Sequence, residues 1–277
     1  MAHSQATKTR YTLMLIIAYN IKLKRLLATL LIFLILVSAA AATTYKTSLL
    51  TVDGQLATFS KASNISSNAG NSSSPQVAVS DNEIVYVVWS DATTGNGDIY
   101  FKASSDNGTK FRGKKVLAKN DGLSYEPQIA AADNNIIYAV WKDNTQYDRS
   151  QNKSSTNSFD ILFRSSFDSG ANFANRTTIG KDVGDFADFA EIASVHEKSQ
   201  AYVVWSDILK YRTPSTYELF FQTITNNSKI LTEPINLSNN DGNSITPQIA
   251  VSHNNNVYVV WSDATTGNGD IYFTNTT

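Results

Sequence analysis

The 277-residue chain has no cysteine, 42% hydrophobic residues and a formal net charge of −1. Without cysteine, disulfides and thiolate metal centres are excluded. Residues 1–42 hold five Lys/Arg and no Asp/Glu, which leaves 18 basic against 24 acidic residues beyond them and no basic block for a nucleic-acid partner.

In chain order, the first feature is the uncharged apolar run of 17 residues from Leu26 to Ala42, preceded by Lys22, Lys24 and Arg25. It ends in four alanines, the pattern of an export signal, and its length also sits at the lower limit for a membrane anchor. Residues 1–42 are therefore expected to act as a signal peptide or signal anchor, and the positive flank sends residues 43–277 outside. The protein is expected to be secreted or on the cell surface, touching the membrane only through this segment if it stays uncleaved. Eight Asn-x-Ser/Thr sequons beyond residue 42 mark surface positions open to glycosylation.

After a stretch beginning Thr51-Val52-Asp53-Gly54, one phrase is written four times. Its tryptophans, Trp89, Trp141, Trp205 and Trp261, are 52, 64 and 56 residues apart. Units of this length stack on their neighbours because none buries its apolar faces alone. Each unit reads as a short first strand (Gln76–Ser80 in unit one), a β-branched second strand ending Trp-x-Asp, and a third such as Asp98-Ile99-Tyr100-Phe101. A weaker fourth strand follows at 115–118, 177–180 and 234–237, and no sustained helical period occurs beyond residue 43. The predicted blades run 75–118, 127–180, 189–237, and 247–277 plus 51–66. Four-stranded antiparallel sheets repeated around an axis give an all-β propeller; a pair of β-sandwiches fits a fixed period poorly.

Between strands three and four, Ser104-Ser105-Asp106-Asn107-Gly108-Thr109-Lys110-Phe111 and Ser166-Phe167-Asp168-Ser169-Gly170-Ala171-Asn172-Phe173 share the pattern Ser-x-Asp-x-Gly-x-x-Phe. The pattern resembles the Asp box, or bacterial neuraminidase repeat, of sialidase-like β-propellers. Ser104, Asp106, Gly108 and Phe111, with Ser166, Asp168, Gly170 and Phe173, are the expected structural hairpin residues: the Asp binds the turn backbone, the Gly reverses the chain and the Phe anchors it. Unit three has lost the Asp and Gly. Unit four ends after its third strand, and residues 51–66 read as a box followed by a fourth strand. A closed four-bladed ring clasped by the N-terminal strand is expected, with an eight-bladed dimer or an open partial ring left open.

The resemblance implies a glycosidase with three substrate-binding arginines, a Tyr–Glu nucleophile pair and an Asp acid/base. The early Arg-Ile-Pro-type motif is absent. Of the five arginines beyond residue 42, Arg112, Arg164 and Arg176 belong to the box side, leaving Arg149 and Arg212. The reading is therefore a non-catalytic binding or interaction module for glycans or cell-envelope proteins, with a sialidase-like glycoside hydrolase as the alternative. The repeated acids Asp91, Asp143, Asp207 and Asp263, with Asp98, Asp160, Glu218 and Asp270, are read as turn caps. Ca²⁺ at that rim is a lesser expectation, no cofactor is required, and His196 and His253 are too sparse for a metal. Candidate ligand residues lie where the repeat breaks, in the long loops of units two and three and at one first strand. They are Tyr147, Arg149, Lys153, Lys210, Tyr211 and Arg212, together with Glu191, which stands where other units have Gln76, Gln128 and Gln248. Whether the protein is a monomer or a dimer stays open.

Overall fold

In the computed structural model the described residues are 51–276, apart from 53–54, 57–58, 120–121, 133–134, 145–157, 182, 196–197, 210–214 and 226–228. The chain divides into two compact units, residues 1–63 and 64–277. In the first, β1 (Thr51–Val52) pairs antiparallel with β2 (Gln55–Leu56). Residues 1–42, the expected signal peptide or anchor, lie outside the described residues. No helix among the described residues is long and apolar enough to cross a membrane.

The second unit is all-β, as the repeat predicts. Blade one consists of β3 (Ser72–Val79), β4 (Val85–Asp91), β5 (Asp98–Ser104) and β6 (Lys115–Ala118); blade two of β7 (Ser124–Ala131), β8 (Ile137–Asp143), β9 (Asp160–Ser166) and β10 (Thr177–Ile179). Blade three comprises β11 (Asp188–Ser194), β12 (Gln200–Ile208), β13 (Tyr217–Thr225) and β14 (Ile235–Asn236), and blade four β15 (Ser244–Val251), β16 (Val257–Asp263) and β17 (Asp270–Asn275). Each is an antiparallel meander in chain order. Blade four has three described strands, and the described pairings of β17 are all with β16. The expected pairing of residues 51–66 with blade four is not among the described ladders.

Strands apolar on both sides need cover on both sides, and the blades provide it for one another. Tyr86, Val88, Ile99 and Phe101 of blade one pack on Ile137, Ala139 and Trp141 of blade two. Tyr138, Val140, Ile161 and Phe163 of blade two meet Val203, Trp205 and Phe220 of blade three. Val204 and Leu219 meet Val257, Val259 and Trp261 across the last seam. Every seam thus joins the tryptophan face of one blade to the opposite face of the blade before it. On blade one, Val87, Trp89 and Tyr100 are instead covered by Ile65 and Phe111.

Both complete Asp boxes are hairpins closed by their own serine and aspartate. Ser104 Oγ donates to Asp106 at 2.7 Å, and the Lys110 N–H donates back to the Asp106 carboxylate at 2.8 Å. The second box repeats this with Ser166 to Asp168 at 2.8 Å and the Asn172 N–H to Asp168 at 2.7 Å. Gly108 and Gly170 have φ of 78° and 77°, conformations costly for any residue with a Cβ. Phe173 meets the Phe101 ring edge-on at 5.1 Å. These hydrogen bonds hold both Asp carboxyls below their ordinary range, with the Lys110 N–H the main cause at Asp106 and burial opposing the effect at Asp168.

Candidate functional site

Each blade breaks its innermost ladder at the same place. Register shifts fall between Ser73 and Gln76, Tyr125 and Gln128, Asp188 and Glu191, and Ile245 and Gln248. At each break a non-glycine residue adopts a left-handed backbone: Ser74 (φ 48°), Glu126 (52°), Phe189 (51°) and Thr246 (51°). Such a bulge re-aims side chains and carries about 1–3 kcal/mol of strain. Blades one and four place small hydroxyl residues there. Blades two and three do not.

Around the bulges of blades two and three, charged and aromatic groups converge. Lys142 pairs with Asp188 at 2.7 Å, bridging the two blades. Its Nζ lies 4.7 Å from the centre of the Phe159 ring and 5.4 Å from that of Tyr125, within reach of cation–π attraction. Tyr125 and Phe159 meet edge to face at 5.5 Å, and Phe189 and Tyr217 do so at 6.3 Å.

Asp188 is the electrostatic centre. Burial first, and then the Asp188 charge and a shared hydrogen bond with it, raise the Glu126 carboxyl, while Lys142 pulls it down. The Tyr125 and Tyr217 hydroxyls are raised by burial and by the same carboxylate, with Glu126 adding to the first and Asp207 to the second. One exposed carboxyl beside a second carboxylate therefore retains its proton to higher pH than an ordinary Glu.

Glu191, the predicted site residue that is described, stands three residues after Asp188. Its Oε1 accepts hydrogen bonds from Gln128 Nε2 at 3.0 Å and Gln248 Nε2 at 3.2 Å, which joins the innermost strands of three blades. Burial raises its pKa, and the Gln248 amide offsets part of that rise. Tyr147, Arg149, Lys153, Lys210, Tyr211 and Arg212 lie outside the described residues. The residues bordering those loops, Phe159 and Tyr217, belong to the cluster. Glu126, Lys142, Tyr125 and Asp188 were missed by the loop-based reading, yet one mark was visible. Lys142 replaces the Ser of Trp-Ser-Asp found in the other three units.

The repeated rim acids act as caps, as expected. Asp91 accepts from Ser72 Oγ at 3.1 Å, Trp89 Nε1 at 3.3 Å and the Thr93 N–H at 2.9 Å. Asp263 accepts from Ser244 Oγ at 2.8 Å, Trp261 Nε1 at 2.9 Å and the Thr265 N–H at 3.0 Å. Against burial, these bonds hold both carboxyls low. No group of three His, Asp or Glu placed to hold a metal occurs among the described residues. Arg112 reaches the Ser169 carbonyl at 3.4 Å, and Arg164 spends its N–H groups on the carbonyls of Ala174 (2.8 Å) and Leu117 (3.1 Å).

No family model matches the chain, and no curated protein does. Solved structures match by shape. A Hadza microbial sialidase superposes with a TM-score of 0.53 at 11% identity, over 74% of this chain and 44% of its own. The α-L-arabinanase of Penicillium chrysogenum, solved with arabinobiose, gives 0.51 at 13% identity over 74% and 62%. The fold is a sialidase-like β-propeller. A Dyadobacter fermentans protein of unknown function superposes with a TM-score of 0.52 at 10% identity, over 74% of this chain and 66% of its own. This chain thus spans less than two thirds of the sialidase and of the arabinanase. At such identities the propeller match speaks for fold alone.

Proposed function

We propose that the protein is an exported β-propeller glycoside hydrolase acting on a neutral glycan at the carboxyl cluster between blades two and three. The observation that carries this reading is the Glu126–Asp188 pair at two facing bulges, walled by Tyr125, Phe159 and Tyr217. Glycoside hydrolysis needs one carboxyl that keeps its proton and another that stays ionised. Glu126, whose carboxyl is raised by burial and then by the Asp188 charge, serves as the proton donor to the glycosidic oxygen. Glu191, which receives two amide N–H groups, serves as the base that activates water. Asp188 positions Glu126, and Lys142 balances its charge.

The described arginines, Arg112, Arg164 and Arg176, lie in or beside the strands and hairpins of the Asp boxes, so a neutral sugar suits the site better than a carboxylated one. Aromatic faces suit a pyranose or furanose ring. The test is turnover of a panel of aryl glycosides and neutral polysaccharides, followed by reducing-end release. Glu126→Gln and Glu191→Gln should each lower kcat by about 10²–10⁴-fold. Undiminished turnover in both variants refutes the assignment. A second reading, glycan binding without turnover, is favoured by the Lys142–Asp188 ion pair, which already neutralises one carboxylate. It predicts retention on a glycan array with no product release by the unaltered protein.

A further inference from the structure

Blade four presents a face that matches a buried one residue for residue. In blade one, Tyr86, Val88, Ile99 and Phe101 are 0%, 0%, 0% and 2% exposed beneath blade two. Residues 261–273 repeat 89–101 without a change, and the corresponding side chains in blade four are Tyr258, Val260, Ile271 and Phe273. There Ile271 is 77% and Phe273 59% exposed. The innermost strand of blade one is equally bare, with Val77 63% and Val79 59% exposed. Their counterparts in blade four, Ile249 and Val251, pack into the third seam.

The entry to blade one is built like the exit from a blade. After β14, Leu237 packs on the tryptophan face of blade four, and Ile65 holds that place on blade one. Asn236 Oδ1 accepts the Asn239 N–H at 2.9 Å, and Asn64 Oδ1 accepts the Ser67 N–H at 3.0 Å. Asn239 and Ser67 have φ of 42° and 44°. Asn240 donates to Asp263 at 2.7 Å, and Asn68 donates to Asp91. Residues 64–68 therefore run as the end of a fourth strand. Blade four has three described strands, and its described ladders stop at β17. Residues 64–277 thus hold both halves of a seam, and Val77, Val79, Ile271 and Phe273 on those halves are exposed.

We propose that a second copy of this chain completes the seam, so that chains associate head to tail through these two faces. The N-terminal strand of one copy adds to β17 of the next, and the bare face of blade four covers the innermost strand of blade one. The interface continues the three seams already present and uses the equivalents of their residues, as a heterologous contact between copies does. The register follows from blade three, where Phe220 faces Asn236, Phe221 faces Ile235, and the Leu237 N–H donates to the Leu219 carbonyl at 2.7 Å. Carried to the new seam, Asn64 faces Tyr272, Ser63 faces Phe273, and the Ile65 N–H donates to the Ile271 carbonyl of the other copy.

The chain has no cysteine of its own, so crosslinks report the register directly. Full-length chains carrying Ser63→Cys alone and Phe273→Cys alone are co-expressed, oxidised and run on a non-reducing gel, beside the double variant. Facing Cα atoms in a ladder lie within disulfide reach. A band of twice the chain mass from the mixed single variants is expected. A double variant that closes internally at monomer mass, with no band from the mixture, overturns the proposal in favour of self-closure. No crosslink in either case also overturns it, leaving the face to another partner or to solvent. Ile271→Asp, at a site already exposed within one chain, should leave the circular dichroism unchanged and cut the crosslink yield at least about tenfold. An unchanged yield refutes the seam.

Discussion

In blades one, two and four the Trp-x-Asp carboxylate takes a serine hydroxyl, from Ser72 at 3.1 Å, Ser124 at 2.6 Å and Ser244 at 2.8 Å. In blade three the ladder begins at Asp188 opposite Ser206, so Ala187 precedes it where the other blades have that serine, and the hydroxyl is missing. Asp207 is 3% exposed, and its carboxyl is pushed up to about 7, chiefly by burial. The Phe186 N–H at 3.1 Å, the Ile208 N–H and the Trp205 indole offset only part of that. A folded pKa near 7 against an unfolded value of about 3.9 means that the native state holds the proton more tightly. Stability therefore falls as pH rises from about 4 to about 7, by roughly 4 kcal/mol at most, and stays low above that.

Ala187→Ser restores the missing donor to the ionised form. A hydrogen bond to a charged group contributes about 1.5–3 kcal/mol. At pH 8, where Asp207 is ionised, the gain should approach 2 kcal/mol, or about 4–8 °C in Tm for a domain of this size. At pH 5, where the native carboxyl is protonated, the gain should be near zero. Thermal unfolding followed by circular dichroism at the two pH values decides it. An equal shift at both, or a loss at pH 8, refutes the account of Asp207.

Gly108→Ala and Gly170→Ala occupy equivalent box positions with nearly equal φ, so their difference isolates packing. The first has open space where its Cβ would go, and should cost about 1–2 kcal/mol for the left-handed backbone alone. At Gly170 the Cβ would land on the Phe101 ring, and urea unfolding should show at least about 1 kcal/mol more; equal losses would sink this reading. Lys142→Met removes the charge that lowers Glu126, so the group titrating as the acid should move to higher pH in the pH dependence of kcat/KM. A downward move would show that Lys142 does not act on Glu126.

The blade was legible because its determinants are local. The Trp-x-Asp strand, the Asp-box serine and glycine, and the alternation of strand and turn lie close together in sequence. The bulge was not legible, because Ser74, Glu126, Phe189 and Thr246 have no residue type in common. What they share is a backbone conformation set by the break in pairing between the first two strands. Glu126 and Asp188 meet only because blades two and three are neighbours and both ladders slip. Glu191 stood out because it broke a column of glutamines, and Lys142 could have been found by the same comparison. The loops of blades two and three were chosen for their length, yet the described cluster gathers at their anchoring ends, Phe159 and Tyr217.

The left-handed residue at each bulge has a further meaning. Its backbone is held by the strand pairing on either side and not by the side chain it carries, since serine, glutamate, phenylalanine and threonine all occupy it. It behaves as a socket, present in every blade and filled differently in each. Ser74 and Thr246 are blank sockets. A carboxyl or aromatic placed at either would point to the same side of its own sheet as Glu126 does, with the backbone already shaped to receive it. New chemistry on this scaffold could then begin with a single substitution in a blade that now has none.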